Sequence, residues 1–530
     1  MTQSPQFPDQ LGGSWASALE RRTVLKAGAA ASLALFLAAC NGSSQTSSGT
    51  KGGAPKRGGT LTWAGDMQVK TLDPAFSTIT TERNVYYAVC ETLTTLDPVQ
   101  NIKPGLATSW KLEGNDLVFT LQTGVKFHDG TDFDAEAVKF NLDRLMDPKT
   151  NSPLRGQLVP PVKSVEVVDQ HTVKLVCDAP WRPLLAALGG RAGFIQSPTA
   201  LKASGPNSGK LVGTGPYELV GWDVGKKIEM KRFEGYRDKK RNQFDKIVML
   251  AVSDPNTQIS MLRAGTANLV DNLTPQLLAT VKGVSGLATY SKDVGSWEAV
   301  QVNMSKSPFD RKELREALAL ATDREGVKKI VFLDEAALAD QPVRESWATN
   351  KDLKYPFGYD LKRAKSLAET LNIDDELVLT IPNRARSEAI GEVVFEGYRK
   401  LGLNVSTAVA DAASWYADVV SGKTPWTVIR WVPYGDPDVL MRMLYHSDST
   451  GNSIGFNDPE VDALLDKAAQ EFDQDKALPM YEELADKVVA AAPYAFVVGS
   501  NICAGSSNDL SGVEIYADLA LRFPDMYFTG

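Results

Sequence analysis

Segments with strand and helix patterns alternate along this chain from residue 59 to residue 498, and this alternation limits the folds that it can adopt. Asp116–Leu121 alternates apolar and polar residues with the period of a strand. Asp134 is a suitable N-cap for a helix over Ala135–Met146. A chain of 530 residues exceeds what one hydrophobic core ordinarily holds, so we expect two or more domains. The sequence therefore predicts a mixed α/β protein of several domains.

Further segments give local predictions of the same kind. Arg191–Ile195 is expected to form a strand after a short helix at Pro183–Leu188. A helix is expected over Glu388–Leu401, and Pro479 is expected to open another helix. Cys177 shares a strand face with apolar neighbours and is expected to be a small core residue.

The segment Trp431–Asp438 combines two aromatic residues, two prolines, one glycine and two carboxylates. It follows Trp426–Arg430, an apolar segment that is predicted to be a buried strand. Proline and glycine here indicate a loop rather than a helix. A rigid loop that carries Trp431, Tyr434 and Asp436 at the end of a buried strand suits the wall of a ligand cleft. A surface turn with aromatic residues packed beneath it is the alternative that this segment alone leaves open.

An export signal is predicted at residues 1–39. Arg21 and Arg22 precede the apolar run Ala27–Ala39, which is too short to span a bilayer because a spanning helix needs about 20 apolar residues. The run therefore matches the hydrophobic region of an export signal. The paired arginines resemble a twin-arginine signal, and the general secretory route is the alternative.

Cys40 ends the segment Leu-Ala-Ala-Cys, which resembles a bacterial lipobox, and its thiol is expected to carry a diacylglyceryl group. Residues 40–57 are rich in glycine and serine and lack core-forming residues, so they are predicted to be a flexible tether. We therefore expect an extracytoplasmic protein that a lipid anchors to the cell membrane, on its periplasmic side or outer face.

Composition and motifs argue against nucleic-acid binding and catalysis. The net charge is −8, and no basic cluster occurs in the body of the chain. The three histidines lack the spacing of a zinc hydrolase, and the cysteines beyond Cys40 form no CxxC motif. Gly451–Gly455 matches GxSxG but lacks the strand before it and the helix directly after it that a nucleophile elbow needs. We expect no enzyme activity, no cofactor and no metal site.

Several segments together resemble the extracytoplasmic solute-binding proteins of family 5, which serve ABC importers of peptides, dipeptides and nickel chelates. They follow family order and span residues 58–530. The matching segments are Gly58–Leu61, Leu72–Pro74, Leu106–Trp110, Phe119–Leu121, Val125–Thr131, Gly213–Tyr217, Arg311–Asp323 and the DPEVDALL run from Asp458.

The resemblance implies a two-lobed clamp of the periplasmic-binding-protein type II class with an extra small domain. Lobe I would combine residues 58–95, 205–288 and 494–530, the small domain would span residues 96–204, and lobe II would span residues 289–493. Hinge closure would trap a small solute between the lobes. The resemblance further implies a monomer that delivers the solute to ABC permease subunits with their ATPases.

The resemblance also indicates residues that face the ligand. Trp431 and Trp415 match positions at which peptide-binding relatives place aromatic rings against the ligand. Arg191 lies in a segment that family members place near the cleft, where it is expected to bind a ligand carboxylate with two hydrogen bonds. Arg384 and Arg386 are further candidates for such a role.

One departure from the family pattern concerns the ligand's amine. Peptide-binding relatives often carry an aspartate three residues after the tryptophan, and it neutralises the ammonium group of the peptide. This chain has Tyr434 at that place, and Asp436 is the candidate substitute. Asp438 stands where some nickel-chelate members have a histidine. A peptide-like solute is the first hypothesis, a glycoside, opine or metal chelate is the second, and an exported hydrolase is a distant third.

Overall fold

A computed structural model describes residues 53–159, 161–206, 208–412, 414–433 and 435–530, which all fall within one unit of the chain. The predicted export signal with Arg21 and Arg22, the lipidation site Cys40, and Tyr434 lie outside the described residues. Of the predicted tether, only the part from Gly53 onward is described. Within the described ranges, no helix has both the length and the apolar composition that crossing a membrane requires.

The described residues contain both helices and strands, as the sequence predicts. The α-helices are α1 Thr80–Val89, α2 Ala135–Met146, α3 Pro183–Ala187, α4 Pro198–Ser204, α5 Pro255–Arg263, α6 Pro275–Val281, α7 Lys312–Ala321, α8 Arg324–Phe332, α9 Leu361–Glu369, α10 Ala385–Tyr398, α11 Trp415–Val420, α12 Pro437–Tyr445, α13 Pro459–Gln470 and α14 Gln474–Ala490. The strands are β1 Pro55–Lys56, β2 Thr60–Gly65, β3 Glu91–Thr92, β4 Thr94–Leu96, β5 Ile102–Pro104, β6 Ala107–Glu113, β7 Asp116–Leu121, β8 Val162–Asp169, β9 Thr172–Cys177, β10 Phe194–Ile195, β11 Tyr217–Asp223, β12 Lys227–Arg232, β13 Lys246–Ala251, β14 Leu269–Leu273, β15 Leu287–Asp293, β16 Trp297–Val302, β17 Ala336–Leu338, β18 Leu377–Pro382, β19 Val405–Ala410, β20 Trp426–Trp431, β21 Tyr494–Ser507, β22 Leu510–Ser511 and β23 Tyr527–Thr529.

A sheet of twelve strands runs through the molecule, in the order β11-β12-β13-β2-β14-β21-β16-β20-β18-β19, with β15 and β17 also paired to β21. The long strand β21 joins its two halves. Tyr494–Val498 pairs with β16, whereas Asn501–Ser507 pairs with β15. We use lobe I for the half with β2 and β11 to β15, and lobe II for the half with β16 to β20.

Each lobe packs helices against its half of the sheet. The main core of lobe I contains the fully buried Trp63, Tyr86 and Tyr217. In lobe II, Trp426 packs with α7 to α10, and Trp297 lies in a second core with α12 to α14. Burial of these large aromatic side chains accounts for a large part of the stability of each lobe.

A separate four-stranded antiparallel sheet, in the order β6-β7-β9-β8, forms the basis of a small domain. Helix α2 packs against it, and the core of this domain contains Phe119, Val138 and Leu175 together with Leu184 of α3. Cys177 lies in this core, which confirms the prediction for that residue. We use small domain for the part built on β6 to β9 with α2 and α3.

Aspartate and proline start several of the helices in lobes I and II. Asp254, Asp436 and Asp458 each precede a proline, and each side chain accepts a hydrogen bond from the backbone N–H two residues later. Proline suits the first helical position because a backbone N–H at that position would have no partner within the helix. The predicted caps Asp134 and Asp458 are confirmed, as is helix Ala135–Met146.

Four local predictions are wrong in part. Residues 191–193 form a 3₁₀ turn, in which the N–H of Gly193 donates to the carbonyl of Gly190, and only the two residues of β10 are extended. Helix α10 begins three residues earlier than predicted. Pro479 lies inside α14 because Asp473 caps that helix six residues upstream. The loop after β20 ends at Asp436, where α12 begins.

Asp271 in β14 makes stability depend on pH. Burial raises its pKa to about 6 from an ordinary value of 3.8, although the indole N–H of Trp63 donates to its Oδ1 at 2.9 Å. Between these pH values the folded protein binds a proton that the unfolded chain has released. The ionised carboxylate therefore lowers the free energy of unfolding above pH 6, and this loss fades as the pH falls towards 4.

We expect Asp271→Asn to raise the free energy of unfolding by about 2 kcal/mol at pH 7 and by much less at pH 4. The amide retains an acceptor for Trp63 and removes the charge of this partly buried side chain. Urea unfolding of both proteins at the two pH values measures the difference. An equal effect at both pH values would mean that the charge of Asp271 is not the cause.

Candidate functional site

The candidate loop leaves the sheet of lobe II at the end of β20. Strand β20 is parallel to β18, with Thr427 opposite Thr380, and antiparallel to β16, with Trp431 opposite Trp297. The carboxyl ends of β18 and β20 therefore lie at the same edge of the sheet. In open α/β sheets, ligands bind outside the carboxyl ends of parallel strands. This edge is the candidate site in lobe II.

Asp436 at the end of the loop is buried, with 2% of its surface exposed. Its Oδ1 accepts a hydrogen bond from the backbone N–H of Asp438 at 2.9 Å, and its Oδ2 accepts one from Nη1 of Arg182. Burial raises the pKa of Asp436, and the charge of Arg182 opposes this rise. Asp436 thus caps α12 and pairs with Arg182. The ligand-binding role of Asp436 stays a prediction.

Arg182 belongs to the small domain and reaches into lobe II. Its Nη2 donates to the hydroxyl of Tyr481 at 2.7 Å, and its backbone N–H donates to the carbonyl of Ala469 at 2.9 Å. The guanidinium lies 4.8 Å from the ring centre of Trp347 and 5.6 Å from that of Tyr481. Cation–π contacts of this kind add to the ion pair when they are desolvated. Arg182 therefore fixes the small domain against lobe II beside the candidate loop.

A second contact between the same parts lies next to the first. The guanidinium of Arg442 stacks on Trp181 of the small domain at 4.8 Å from the ring centre. The Nε and Nη2 of Arg442 donate to the two carboxylate oxygens of Asp438 at 3.1 and 3.3 Å. Burial raises the pKa of Asp438 to about 6, and Arg442 opposes this rise. Asp438 therefore holds an arginine in lobe II rather than standing open as a ligand group.

A cavity of about 560 Å³ lies beside the candidate loop, and all three parts of the molecule line it. Arg191 of the predicted site and Pro433 of the loop both form its wall. Nη1 of Arg191 donates to the carbonyl of Thr78 in lobe I at 3.0 Å. The volume of the cavity falls within the range of small-molecule sites. The structure thus brings Arg191 and the loop together at one cavity.

The lobe I side of this cavity contains the ion pair of Arg83 with Asp518, at 3.3 Å. Asp518 also accepts a hydrogen bond from Arg522, whose guanidinium lies between the rings of Tyr87 and Tyr516. Burial alone would raise the pKa of Asp518, but Arg522 and Arg83 outweigh it and hold the pKa at about 2. This carboxylate is therefore ionised at neutral pH and fixes both arginines.

Trp415, Trp431 and Arg384 form a second group, and none of the three lines that cavity. Trp415 and Trp431 are 6% and 4% exposed, and the indole N–H of Trp415 donates to Oγ1 of Thr427 at 2.9 Å. The guanidinium of Arg384 lies 6.0 Å from the ring centre of Trp415. The structure places these residues together at the carboxyl edge of lobe II. Their contact with ligand stays a prediction.

Sequence reasoning missed part of a charged cluster at this edge. Glu298 of β16 lies opposite Arg430 of β20, and it is 2% exposed. Its Oε1 lies 3.5 Å from Nη1 of Arg386 and 3.6 Å from Nε of Arg430. Arg386 is a sequence candidate, but Glu298 and Arg430 are not. A charged residue in each of two otherwise uncharged, largely apolar strands is the signal that would have pointed to them.

Ser453 of the GxSxG segment does not form a nucleophile elbow. It is buried in a turn after α12, and its hydroxyl accepts a hydrogen bond from Nε2 of Gln301 at 3.2 Å. A nucleophile elbow would place an exposed serine between a strand and a helix. The surroundings of Ser453 therefore agree with the interpretation of the sequence.

Comparison with known proteins gives matches over most of the chain. A family model described as "Bacterial extracellular solute-binding proteins, family 5 Middle" matches residues 101–452, which is more than half of the sequence. The glutathione-binding protein GsiB of Pectobacterium atrosepticum is 26% identical over 476 residues, covering 87% of this chain and 92% of the relative. The family predicted from the sequence motifs is confirmed.

Solved structures show the same fold. The periplasmic binding protein DppA of Helicobacter pylori, in complex with the peptide STSA, is similar with a TM-score of 0.77 and 22% identity, covering 90% of this chain and 99% of that one. AgaA of A. tumefaciens R10, in complex with agropinic acid, has a TM-score of 0.76 and 24% identity, with coverage of 89% and 99%. The predicted two-lobed α/β clamp of periplasmic-binding-protein type II is confirmed.

Proposed function

Because the chain belongs to the bacterial extracellular solute-binding proteins of family 5, we propose that it binds a peptide-like solute between its lobes and delivers it to the permease of an ABC importer. Family members are substrate-binding proteins rather than enzymes. The observation that carries this proposal is the cavity of about 560 Å³, to which lobe I, lobe II and the small domain all contribute. A solute held there contacts every part that moves when a clamp closes.

The division into domains supports this proposal. We propose lobe I at residues 58–95, 205–288 and 494–530, the small domain at residues 96–204, and lobe II at residues 289–493. The separate sheet of the small domain and the two halves of the large sheet agree with this division. Two of the proposed boundaries cut through strands of the large sheet. The boundary at residue 288 puts most of β15 in lobe II, and the boundary at residue 494 puts the part of β21 that pairs with β16 in lobe I.

A small peptide is the solute class that the relatives favour. GsiB is named for glutathione and matches this chain over 92% of its own length, and DppA of H. pylori holds the peptide STSA. Isothermal titration of the detergent-solubilised full-length protein with glutathione and with short peptides tests this. We expect heat of binding together with a smaller radius of gyration by X-ray scattering. Neither change with any of these peptides would contradict the proposed solute class.

A non-peptide acidic solute is the second candidate, because one observation favours it. The carboxylate of Asp436, the expected partner of a ligand ammonium, is engaged by Arg182 and by the start of α12. A buried ammonium without a carboxylate partner would be unfavourable. AgaA, which shares the fold, holds agropinic acid. Binding of such acids together with no binding of peptides would favour this candidate.

We also propose that Arg21 and Arg22 belong to an export signal and that Cys40 carries a lipid anchor, which keeps the protein at the outer side of the membrane. Cys40→Ser is expected to move the protein from the membrane fraction to the soluble extracytoplasmic fraction, because the serine cannot take the thioether-linked lipid. Immunoblotting of fractions measures this. Cys177→Ser, at a buried core thiol, is the matched control and should stay in the membrane fraction. Membrane retention of Cys40→Ser would contradict the anchor.

A further inference from the structure

We propose that Arg386 and Arg430 bind an anionic group of the solute at the carboxyl edge of lobe II, so that the protein takes acidic rather than neutral solutes. This inference rests on the proposed receptor function and names the class of solute. The guanidinium groups of Arg386 and Arg430 lie beside the single carboxylate of Glu298, and the charge of Arg384 also acts on Arg430. The cluster therefore carries an excess of positive charge.

Glu298 does not saturate the arginines. The contacts of its Oε1 with Arg386 and Arg430, at 3.5 and 3.6 Å, are longer than the 2.7–2.9 Å of a charge-assisted hydrogen bond. Within the described part of the chain, Oε1 of Glu298 and Nε of Arg430 are buried and have no hydrogen-bond partner. Buried polar atoms in native proteins nearly always have one. Nε of Arg430 is buried and faces Glu298, so a ligand anion would bind the guanidinium nitrogens in the exposed part of each arginine side chain.

The surrounding residues hold the two guanidinium groups in place. The guanidinium of Arg386 lies 5.8 Å from the ring centre of Phe332, and Nη2 of Arg430 lies 3.5 Å from Oγ of Ser296. The side chains of Arg386 and Arg430 are 22% and 26% exposed, so a solute can reach them. Arginines that are held before binding lose less conformational freedom when they bind a planar anion.

The cluster is not among the residues that line the cavity of about 560 Å³, but its position at the carboxyl edge of lobe II suits a second point of contact with the solute. Arg430 is at the carboxyl end of β20, next to the parallel strand β18, and Arg386 is in the first turn of α10, which follows β18. Burial lowers the pKa of Arg430, Glu298 opposes this, and the charges of Arg386 and Arg384 lower it further. Because the one carboxylate of Glu298 neutralises only one positive charge, the arginines still repel each other. An anion from the solute would relieve this repulsion.

The first test uses malonate as a simple dianion, so it does not depend on the solute being a peptide. Malonate should raise the unfolding temperature of the full-length wild-type protein above that in sodium chloride of equal ionic strength. Arg386→Met and Arg430→Met should each lose this gain. Arg399→Met is the control, because Arg399 follows the same helix and its side chain is 60% exposed. An equal gain in all four proteins, or no gain in the wild type, would overturn the proposal.

Glu298→Gln separates anion binding from a structural role. Removing this carboxylate increases the excess of positive charge, so the gain with malonate should become larger than in the wild type. A merely structural ion pair predicts no such increase, and a gain no larger than that of the wild type would count against the site. Circular dichroism first shows which variants are folded. If Arg430→Met is unfolded, Arg386→Met decides the question.

The second test compares glutathione, which has two carboxylates, with trialanine, which has one. Arg386→Met is expected to weaken glutathione binding about tenfold, the effect of losing one charge-assisted hydrogen bond, and to change trialanine binding little. Equal weakening of both would overturn the solute class. If neither peptide binds the wild type, the proposed peptide function fails, and the malonate result still decides whether the anion site exists.

Discussion

Arg182→Ala is expected to lower the free energy of unfolding by about 3–5 kcal/mol, because it leaves the carboxylate of Asp436 buried without its cation. The two side chains are 3% and 1% exposed, so water does not replace the lost partner. The variant also removes the hydrogen bond to Tyr481 and the stacking on Trp347. Urea unfolding at pH 7, followed by circular dichroism, measures the change.

Two further variants make this prediction specific. Arg182→Ala combined with Asp436→Asn should recover part of the loss, because removing both charges costs less than leaving one buried and unpaired. Arg399→Ala, at an exposed arginine, should differ from the wild type by about 0.5 kcal/mol or less. If Arg182→Ala alone is as stable as Arg399→Ala, the buried pair of Arg182 and Asp436 contributes nothing to the free energy of unfolding.

Gly193→Ala is expected to destabilise the protein by about 3 kcal/mol, as overpacking of a close contact does. A Cβ at this position would lie 1.8 Å from the carbonyl oxygen of Leu188 and 2.3 Å from its carbonyl carbon. These are backbone atoms, so no side chain can rotate away. Because Arg191 starts the same turn, its hydrogen bond to Thr78 should also be displaced, and binding of solute should weaken.

Gly156→Ala is the matched control for this substitution. Gly156 lines the cavity of about 560 Å³ that Arg191 also lines, and a Cβ at Gly156 would meet nothing within 4 Å. Thermal unfolding and titration with glutathione compare the two variants. Gly193→Ala with the unfolding temperature of Gly156→Ala would contradict the close-contact argument. Loss of stability without loss of binding would show that the turn at Arg191 does not shape the site.

Local signals in the sequence predicted much of the fold. The capping side chains of Asp134 and Asp458 accept hydrogen bonds from backbone N–H groups no more than three residues later, and the structure contains both caps. The same Asp-Pro pair occurs at Asp436, where its aromatic neighbours led to an interpretation as a ligand contact. The structure shows that Asp436 caps a helix as Asp458 does. The local rule therefore predicts the cap at Asp436, and the contact of Asp436 with ligand stays a prediction.

The contacts at the candidate site involve residues that are far apart in the sequence. Arg182 and Asp436 are separated by 254 positions, and no periodicity or spacing relates them. Glu298, Arg386 and Arg430 come from β16, α10 and β20, which only the strand order brings together. The sequence indicated that the loop after β20 is important. It contained no local signal for the residues that hold that loop.

The course of β21 limits the motions that are possible between the two lobes. This strand and the chain from β15 to β16 cross between the lobes side by side, and they are paired at Asp293 with Asn501 and again at Glu298 with Val498. Between these pairs, the hydroxyl of Ser296 donates to the carbonyl of Ser500 at 2.9 Å. Two hydrogen-bonded strands resist sliding and stretching more than they resist twisting. We therefore expect this joint to allow the lobes to twist relative to each other and to allow little sliding between them.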